Sequence, residues 1–474
     1  MLAQKKYIIV AIALFFSVIA VNFFKPFGFF RESNAALVCI NAEIWNQNAT
    51  IKNAGIPVNS YYFNAYQNTH DQLYNTTITF GNAWIALPYY FFRIFHLTPS
   101  ATSTRLFSIF WLLFTMYSIF LLAKILVKTY QLPVIIVPLT LTLYLFTPAT
   151  LWYNIQGYVH EVAVLPFYFL NFFFFIQYSK TQHLKWLSLL CFGLIIAIQF
   201  DWLPCVQAAV FCVYLFFERR KIKYRLSFFV PIISVVVGVG YIFYHYGSWA
   251  GFEEYFTYMK SKFAGRAVGA KGLQLSSYIN HNFNIFIFYV LSLGVIIAIA
   301  VCSLIRKTKH PIFIVLMLLT ALLHHAIFWG FTNEHDHAAI KAMFPLIFIA
   351  ASFLVALERK KMMIAVSLIV ALNITQYFFL HNYPLRKGIY SNENYCYTVG
   401  NIVKKFAYTT DDVVFVNTAN KHYLQIEFYA KRFYIIANDL KEAQQKFATM
   451  NIGKQACFLQ FEEDKFVSVQ RFSK

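Results

Sequence analysis

Long apolar runs alternate with short polar connections along most of the chain. A bilayer core about 30 Å thick is crossed by roughly 20 apolar residues in a helix. Runs near that length occupy 7–24, 104–123, 132–148, 162–179, 186–200, 203–217, 226–245, 283–304, 311–330, 339–357 and 362–380. They predict about eleven membrane-spanning helices. The stretch from 186 to 217 is interrupted by Asp201-Trp202-Leu203-Pro204 and reads as two short helices meeting at the membrane surface. A single span there would invert the charge alternation of every later connection. Trp84 to Phe95, interrupted by Pro88 and Arg93, is too short to cross and reads as a helix lying in the interface. The run from Tyr7 to Phe24 has a basic start, but bulky Asn22-Phe23-Phe24-Lys25-Pro26 follows where a cleaved signal would show small residues. It reads as a retained first span.

Beyond Pro384 the pattern changes. Asp412 to Asn417, Phe433 to Ala437 and Ala456 to Phe461 read as buried strands, and Asn392 to Phe406 and Leu440 to Met450 as amphipathic helices between them. That alternation predicts a small α/β domain. The expected organisation is a polytopic α-helical membrane domain over residues 1–384, with an external loop at 25–103, followed by an α/β domain at 385–474.

Composition agrees with a membrane protein: 59% of the 474 residues are hydrophobic and only 13% charged, against roughly 25% charged in soluble domains. The net charge of +20 does not mark a nucleic-acid binder, because the basic residues fall on alternate connections. Lys5-Lys6, Lys124 with Lys128, Lys180 with Lys185, Arg219 to Arg225, Arg306 to Lys309 and Arg359-Lys360-Lys361 lie on one side, as the positive-inside rule requires. The N-terminus is then cytoplasmic and the C-terminal domain is periplasmic or extracellular, in the pattern of a bacterial inner-membrane protein. The seven cysteines show no metal-ligand spacing. Cys396 and Cys457 share the external domain, where they either pair or serve as buried apolar side chains.

Ionisable groups at membrane depth are costly and mark function. Glu43 stands in the first external loop, and Glu161 opens the fourth span after Tyr158-Val159-His160. Each is either a working carboxylate or a charge placed for local reasons, a loop acid in one case and a helix N-terminal acid in the other. Asp201 reads as a turn or cap residue. In the second external segment Lys260, Lys262, Arg266 and Lys271 run against the topology rule. They suit the phosphate of a lipid headgroup, with a solvated basic face as the plain alternative. Lys341, opening the tenth span, joins them as a candidate. His335, Asp336 and His337 form a polar turn above His324 and His325. Hydrogen-bonded polar lining is the preferred reading of that turn, and a divalent metal the alternative. His324 and His325, adjacent in the chain, cannot both point at one site.

These elements together resemble the GT-C superfamily of integral-membrane glycosyltransferases, in particular its protein O-mannosyltransferase-like and aminoarabinose-transferase-like members. The features that carry the resemblance are the acid Glu43 after a first span, an interfacial helix, Thr104-Arg105-Leu106 opening the second span, Glu161 opening the fourth, a split helix pair and an external α/β domain. Ala42 stands where many members have a second acid, and Phe80-Gly81-Asn82-Ala83 where they carry His-Pro-Pro. The resemblance implies inverting transfer of a hexose or pentose from a polyprenyl-phosphate donor to the hydroxyl of a lipid, glycan or protein acceptor. It assigns Glu43 and Glu161 to catalysis and the basic segment, with Lys341, to the departing phosphate. No nucleotide site is needed, and the chain has no Gly-rich phosphate loop. The rival classes are a transporter or flippase and a non-catalytic scaffold for envelope polysaccharide. A transporter would show internal repeats and charges near mid-membrane. This chain has no visible repeat and gathers its charges at one surface.

Overall fold

The computed structural model describes residues 2–27, 32–48, 52, 55–58, 81–153, 157–268, 275–305, 311–334, 336–378, 395–407, 413–417, 423–450, 455–462 and 465–473. The chain is mostly helical and closes with a small mixed sheet. The helices are α1 (Leu2–Phe23), α2 (Ser33–Gln47), α3 (Ala83–Ile94), α4 (Ala101–Tyr130), α5 (Ile136–Leu145), α6 (Pro148–Tyr153), α7 (His160–Thr181), α8 (Leu184–Ile198) and α9 (Leu203–Glu218). They continue with α10 (Phe229–Ala250), α11 (Phe252–Val268), α12 (Leu275–Leu293), α13 (Ile296–Ile305), α14 (Ile312–Ile327), α15 (Trp329–Glu334), α16 (Met343–Leu354) and α17 (Arg359–Gln376).

Among the described residues, Ala101–Tyr130, His160–Thr181 and Arg225–Ala250 are long and apolar enough to cross a membrane. Six shorter apolar helices accompany them, including the separate pair Leu184–Ile198 and Leu203–Glu218. The run at 283–304, read as one span, is instead bent by 112° between Leu293 and Ile296. Gly294 adopts φ +58°, and a Cβ there would lie 2.2 Å from Asn373 Oδ1. The break exposes carbonyls of α12, and Gln376 of α17 donates to those of Val290 and Leu291 at 3.1 and 3.2 Å. An internal partner of this kind is what broken backbone inside a bilayer requires.

The segment carrying Glu43 is a helix, within the long connection after the first span. Ten of the fifteen residues of α2 are buried, so packing rather than propensity holds it. Its Asn41 side chain donates to Val58 O and accepts from Val58 N–H, and Trp45 Nε1 donates to Ile56 O. Gly55, at φ +60°, is tied in turn to Asn82, the residue that starts α3. Helices α2 and α3 are therefore one braced unit. A capping box between Ser100 and Ser103 starts α4. One turn in, fully buried Arg105 donates to the carbonyls of Phe23, Lys25 and Pro26 and pairs with Glu32 at 2.7 Å, closing the turn between α1 and α2.

In the C-terminal unit α18 (Tyr395–Phe406), β1 (Val413–Val416), α19 (Leu424–Ala430), β2 (Ile435–Ile436), α20 (Leu440–Thr449), β3 (Gln455–Glu462) and β4 (Lys465–Ser473) form a sheet of order β2-β1-β3-β4 with its helices. The first three strands are parallel, and β4 returns antiparallel to β3. Helix α19 and strand β4 extend the expected pattern. Cys396 and Cys457 are free thiols buried in the same apolar cluster. Helix α19 seats the unit on the membrane domain: it packs on α2, Phe428 meets Phe27 edge-on at 5.5 Å, and Phe27 N–H donates to Tyr429 Oη at 2.6 Å.

Candidate active site

Breaks in apolar helices bring ionisable groups together where the backbone turns. Helix α7 starts with His160 and Glu161, Asp201 sits between α8 and α9, His324 lies near the end of α14, and the 3₁₀ turn Asp336–Ala342 supplies His337 and Lys341. Fully buried Glu161 takes both imidazoles on one oxygen: His160 Nε2 lies 3.0 Å and His337 Nε2 3.1 Å from Oε1. Asp201 bridges the next pair, with Oδ2 3.6 Å from His160 and Oδ1 3.6 Å from His324 Nε2. Its Oδ1 also accepts from Leu203 N–H at 2.8 Å. The expected turn role is therefore real, and the same carboxylate is also part of the cluster. Burial opposes ionisation of Asp201, but Lys341 and the two histidines outweigh it and hold the carboxyl well below its ordinary range.

Lys341 is fully buried, with Nζ 3.3 Å from His324 Nδ1. It lines a small cavity with His160, Asp201, Trp202, Arg266, His324, Phe328 and Phe331. Arg266 reaches this lining from near the end of α11, with its guanidinium 5.4 Å from the centre of the Phe331 ring. Of the other cations on that helix, Lys260 is exposed and Lys262 lies over the ring of Tyr258 at 5.3 Å. Lys271 and His335 lie outside the described residues, as does the side chain of Asp336. His324 and His325 diverge as expected: His325 Nδ1 meets Tyr289 Oη at 3.1 Å, away from Asp201. His160 and Asp201 were not singled out as site residues from the sequence. Adjacency to Glu161 was the available signal for the first, and the second carried only the signature of a cap.

Glu43 lies elsewhere in the fold. Its carboxylate, 17% exposed, accepts from Lys431 at the end of α19. Trp84, at the start of the braced helix α3, packs against His160 with ring centres 5.9 Å apart, so α3 runs between the Glu43 helix and the cluster.

His160, Glu161 and Asp201 each offer a ligand atom within 4.8 Å of the others. One imidazole and two carboxylates suit a divalent cation, and both oxygens of Glu161 lack a well-aligned hydrogen bond while being wholly buried. The residues fit such an ion. Beside this acidic corner, Arg266 and Lys341 offer donors for an oxyanion.

No protein-family model and no curated protein matches the chain. Solved structures do. ArnT from Cupriavidus metallidurans, crystallised bound to undecaprenyl phosphate, superposes with a TM-score of 0.60 at 10% identity, over 96% of this chain and 93% of that one. Its apo form gives the same score at 11% identity. The archaeal oligosaccharyltransferase AglB from Archaeoglobus fulgidus, in complex with an inhibitory peptide and a dolichol-phosphate, gives 0.53 at 12% identity, over 96% of this chain and 70% of that one. The chain thus has the fold of the GT-C membrane glycosyltransferases over nearly its whole length. With its apolar helices, that fold marks an integral membrane protein.

Proposed function

We propose that the protein transfers a sugar from a polyprenyl-phosphate donor to an acceptor hydroxyl at the outer face of the membrane, with inversion at the anomeric carbon. The observation that carries this reading is the juxtaposition of Arg266 and Lys341 with Glu161, Asp201 and His160 at the ends of apolar helices. It occurs in a fold shared with a protein that binds undecaprenyl phosphate.

In the proposed step the acceptor oxygen attacks the anomeric carbon and its proton passes to a carboxylate base; Glu43, across α3 from the cluster, takes this role only if the acceptor reaches over that helix. The bond from that carbon to the phosphate oxygen breaks, its electron pair going to the phosphate, and polyprenyl phosphate leaves. Arg266 and Lys341 bind the growing negative charge, an electrostatic contribution worth more in a buried site than in water. His160, Glu161 and Asp201 would hold a divalent cation, which supplies further positive charge beside the phosphate. His337 holds the same oxygen of Glu161 that His160 contacts. The apolar helices accommodate the prenyl chain, and no nucleotide site is required.

The test uses membranes carrying the full chain and a panel of undecaprenyl-phosphate sugars tritiated in the sugar. Transfer of label to a membrane acceptor is expected from at least one donor, with a loss of at least about 100-fold for Arg266→Ala, the order expected for removal of an oxyanion donor. Transfer that persists at the wild-type rate in Arg266→Ala and Glu161→Gln rejects the site. Failure of every donor with the wild-type chain rejects the function.

A further inference from the structure

We infer that the indole N–H of Trp202 is a further donor to the phosphate of the lipid-linked substrate, beside Arg266 and Lys341. This deepens the reading of the cavity as a phosphate site and rests on it. Trp202 stands between Asp201 and Leu203, where α9 starts, and lines the cavity together with Lys341 and Arg266. Only 7% of it is exposed, and among the described residues its Nε1 has no hydrogen-bond acceptor. The indole is held by Phe263 of α11, edge-on at 5.2 Å, and Phe263 in turn packs on Phe328 at 5.8 Å. Phe263 lies three residues before Arg266, so one face of α11 both fixes the indole and brings the guanidinium to the cavity. A buried N–H without an acceptor lowers the stability of the unliganded protein. Packing against Phe263 does not call for that N–H.

The guest that satisfies it follows from the rest of the wall. The Lys341 ammonium has three N–H groups and meets one hydrogen-bond partner among the described residues, His324. Arg266 brings a guanidinium, which donates and does not accept. The Asp201 carboxylate already takes the Leu203 N–H on Oδ1 and lies 3.6 Å from both His160 and His324. The wall is therefore rich in donors and in positive charge. Water would bring two donors with its acceptors, whereas an ionised phosphate brings acceptors and the opposite charge. The indole adds an oriented hydrogen bond to that anion without adding a third cation.

The experiment measures binding of undecaprenyl phosphate, undecaprenol and inorganic phosphate to the purified full chain in lipid nanodiscs. Trp202→Phe keeps an aromatic ring beside Phe263 and removes the N–H. A second chain carries benzothienylalanine at position 202, which keeps the bicyclic ring and replaces the N–H by sulfur. Both should bind undecaprenyl phosphate about tenfold more weakly than the wild type, the order expected for one hydrogen bond to a charged group. Undecaprenol should bind all three chains equally. The unliganded thermal midpoint of the benzothienylalanine chain should equal or exceed that of the wild type, because an unsatisfied donor has been removed. Unchanged affinity of both variants for undecaprenyl phosphate, with Arg266→Ala weakened, overturns the role of Trp202 and leaves the phosphate site standing. A lower unliganded midpoint in the benzothienylalanine chain shows that the N–H already has an acceptor within the protein, and overturns the inference. A weakening seen for inorganic phosphate alone assigns the N–H to a free anion and overturns it as well. A wild-type chain that binds undecaprenyl phosphate no better than undecaprenol overturns the phosphate-site reading and this inference together.

Discussion

At the scale of single residues, the cluster shows why chemistry-bearing side chains differ in how readily they are read from sequence. Glu161, Arg266, Lys341 and His337 are anomalous where they stand, each being a polar group at the edge of an apolar run or against the charge rule, and all four converge. Asp201 was hidden by its own local success, since an acid two residues before Leu203 is fully explained by the backbone bond it accepts. Lys431 carried no local signal at all, because its partner lies at the other end of the chain. The depressed pKa of Asp201 makes a specific expectation. A carboxyl held below its unfolded value contributes stability above that value and loses it as pH falls through the lower, folded one. Asp201 therefore stays ionised from neutrality down to the ordinary carboxylate range. Asp201→Asn should lower the transfer rate at every pH without moving the pH at which the acid limb of kcat/KM begins. A displaced acid limb in the variant would show that Asp201 is the group titrating there. Lys341→Met, which removes the buried cation beside Asp201 and the hydrogen-bond partner of His324, should destabilise the protein by about 1–3 kcal/mol, the cost of leaving a buried polar group unsatisfied. Thermal unfolding in detergent checks this, and an unchanged midpoint contradicts it.

At the scale of elements, hydrophobic run length located the helices well and misjudged where they break. The Asp201 interruption was visible because a charge and a proline announce it. The 112° bend at Gly294 was not, because Leu293-Gly294-Val295 leaves the apolar run unbroken and the helix stops through backbone conformation alone. The amide of Gln376 that covers the exposed carbonyls lies 85 and 86 residues from them in the chain, far outside the windows of about 11–18 residues in which periodicity is read. Strand β4 was passed over for a different reason. Its apolar residues Phe466, Val467, Val469 and Phe472 are interspersed with polar ones on a largely exposed edge, so it lacks the buried run that marked the other strands. The bend supplies the element-scale prediction. Gly294→Ala imposes a left-handed alanine against Asn373 and should cost at least about 1–2 kcal/mol. Gly240→Ala, on α10 with nothing within 4 Å of the new methyl, should be neutral or slightly stabilising. Equal shifts in thermal midpoint for the two would remove the bend as an explanation.

At the scale of the whole molecule, the class of fold was legible and its internal contacts were not. Run lengths and charge alternation are one-dimensional properties imposed by the bilayer, so they survive in a chain only 10% identical to ArnT. The docking of the C-terminal unit onto α2 depends on shape and on single residues such as Phe428 and Tyr429, and such features have no period. The full topology of eleven spans, with the C-terminal unit outside, is tested by single cysteines in a chain whose native cysteines are changed to serine. A cysteine at the exposed strand position Lys465 should react with a membrane-impermeant maleimide in intact spheroplasts, and one at exposed Lys221 only after lysis. The reverse pattern would place the site on the cytoplasmic face.

The seating of α19 on α2 also sets a schedule for biogenesis. Glu43 leaves the ribosome early and Lys431 follows 388 residues later, which at ordinary synthesis rates of about 5–20 residues per second is a delay of roughly 20–80 s. Throughout that interval the membrane helices can insert while the face of α2 that receives α19 stays uncovered. A chain clipped before its last domain would leave Phe27 without the ring of Phe428 against it, an apolar surface bare at the seam. Truncated copies should then be recognisable to quality-control proteases by that one uncovered face.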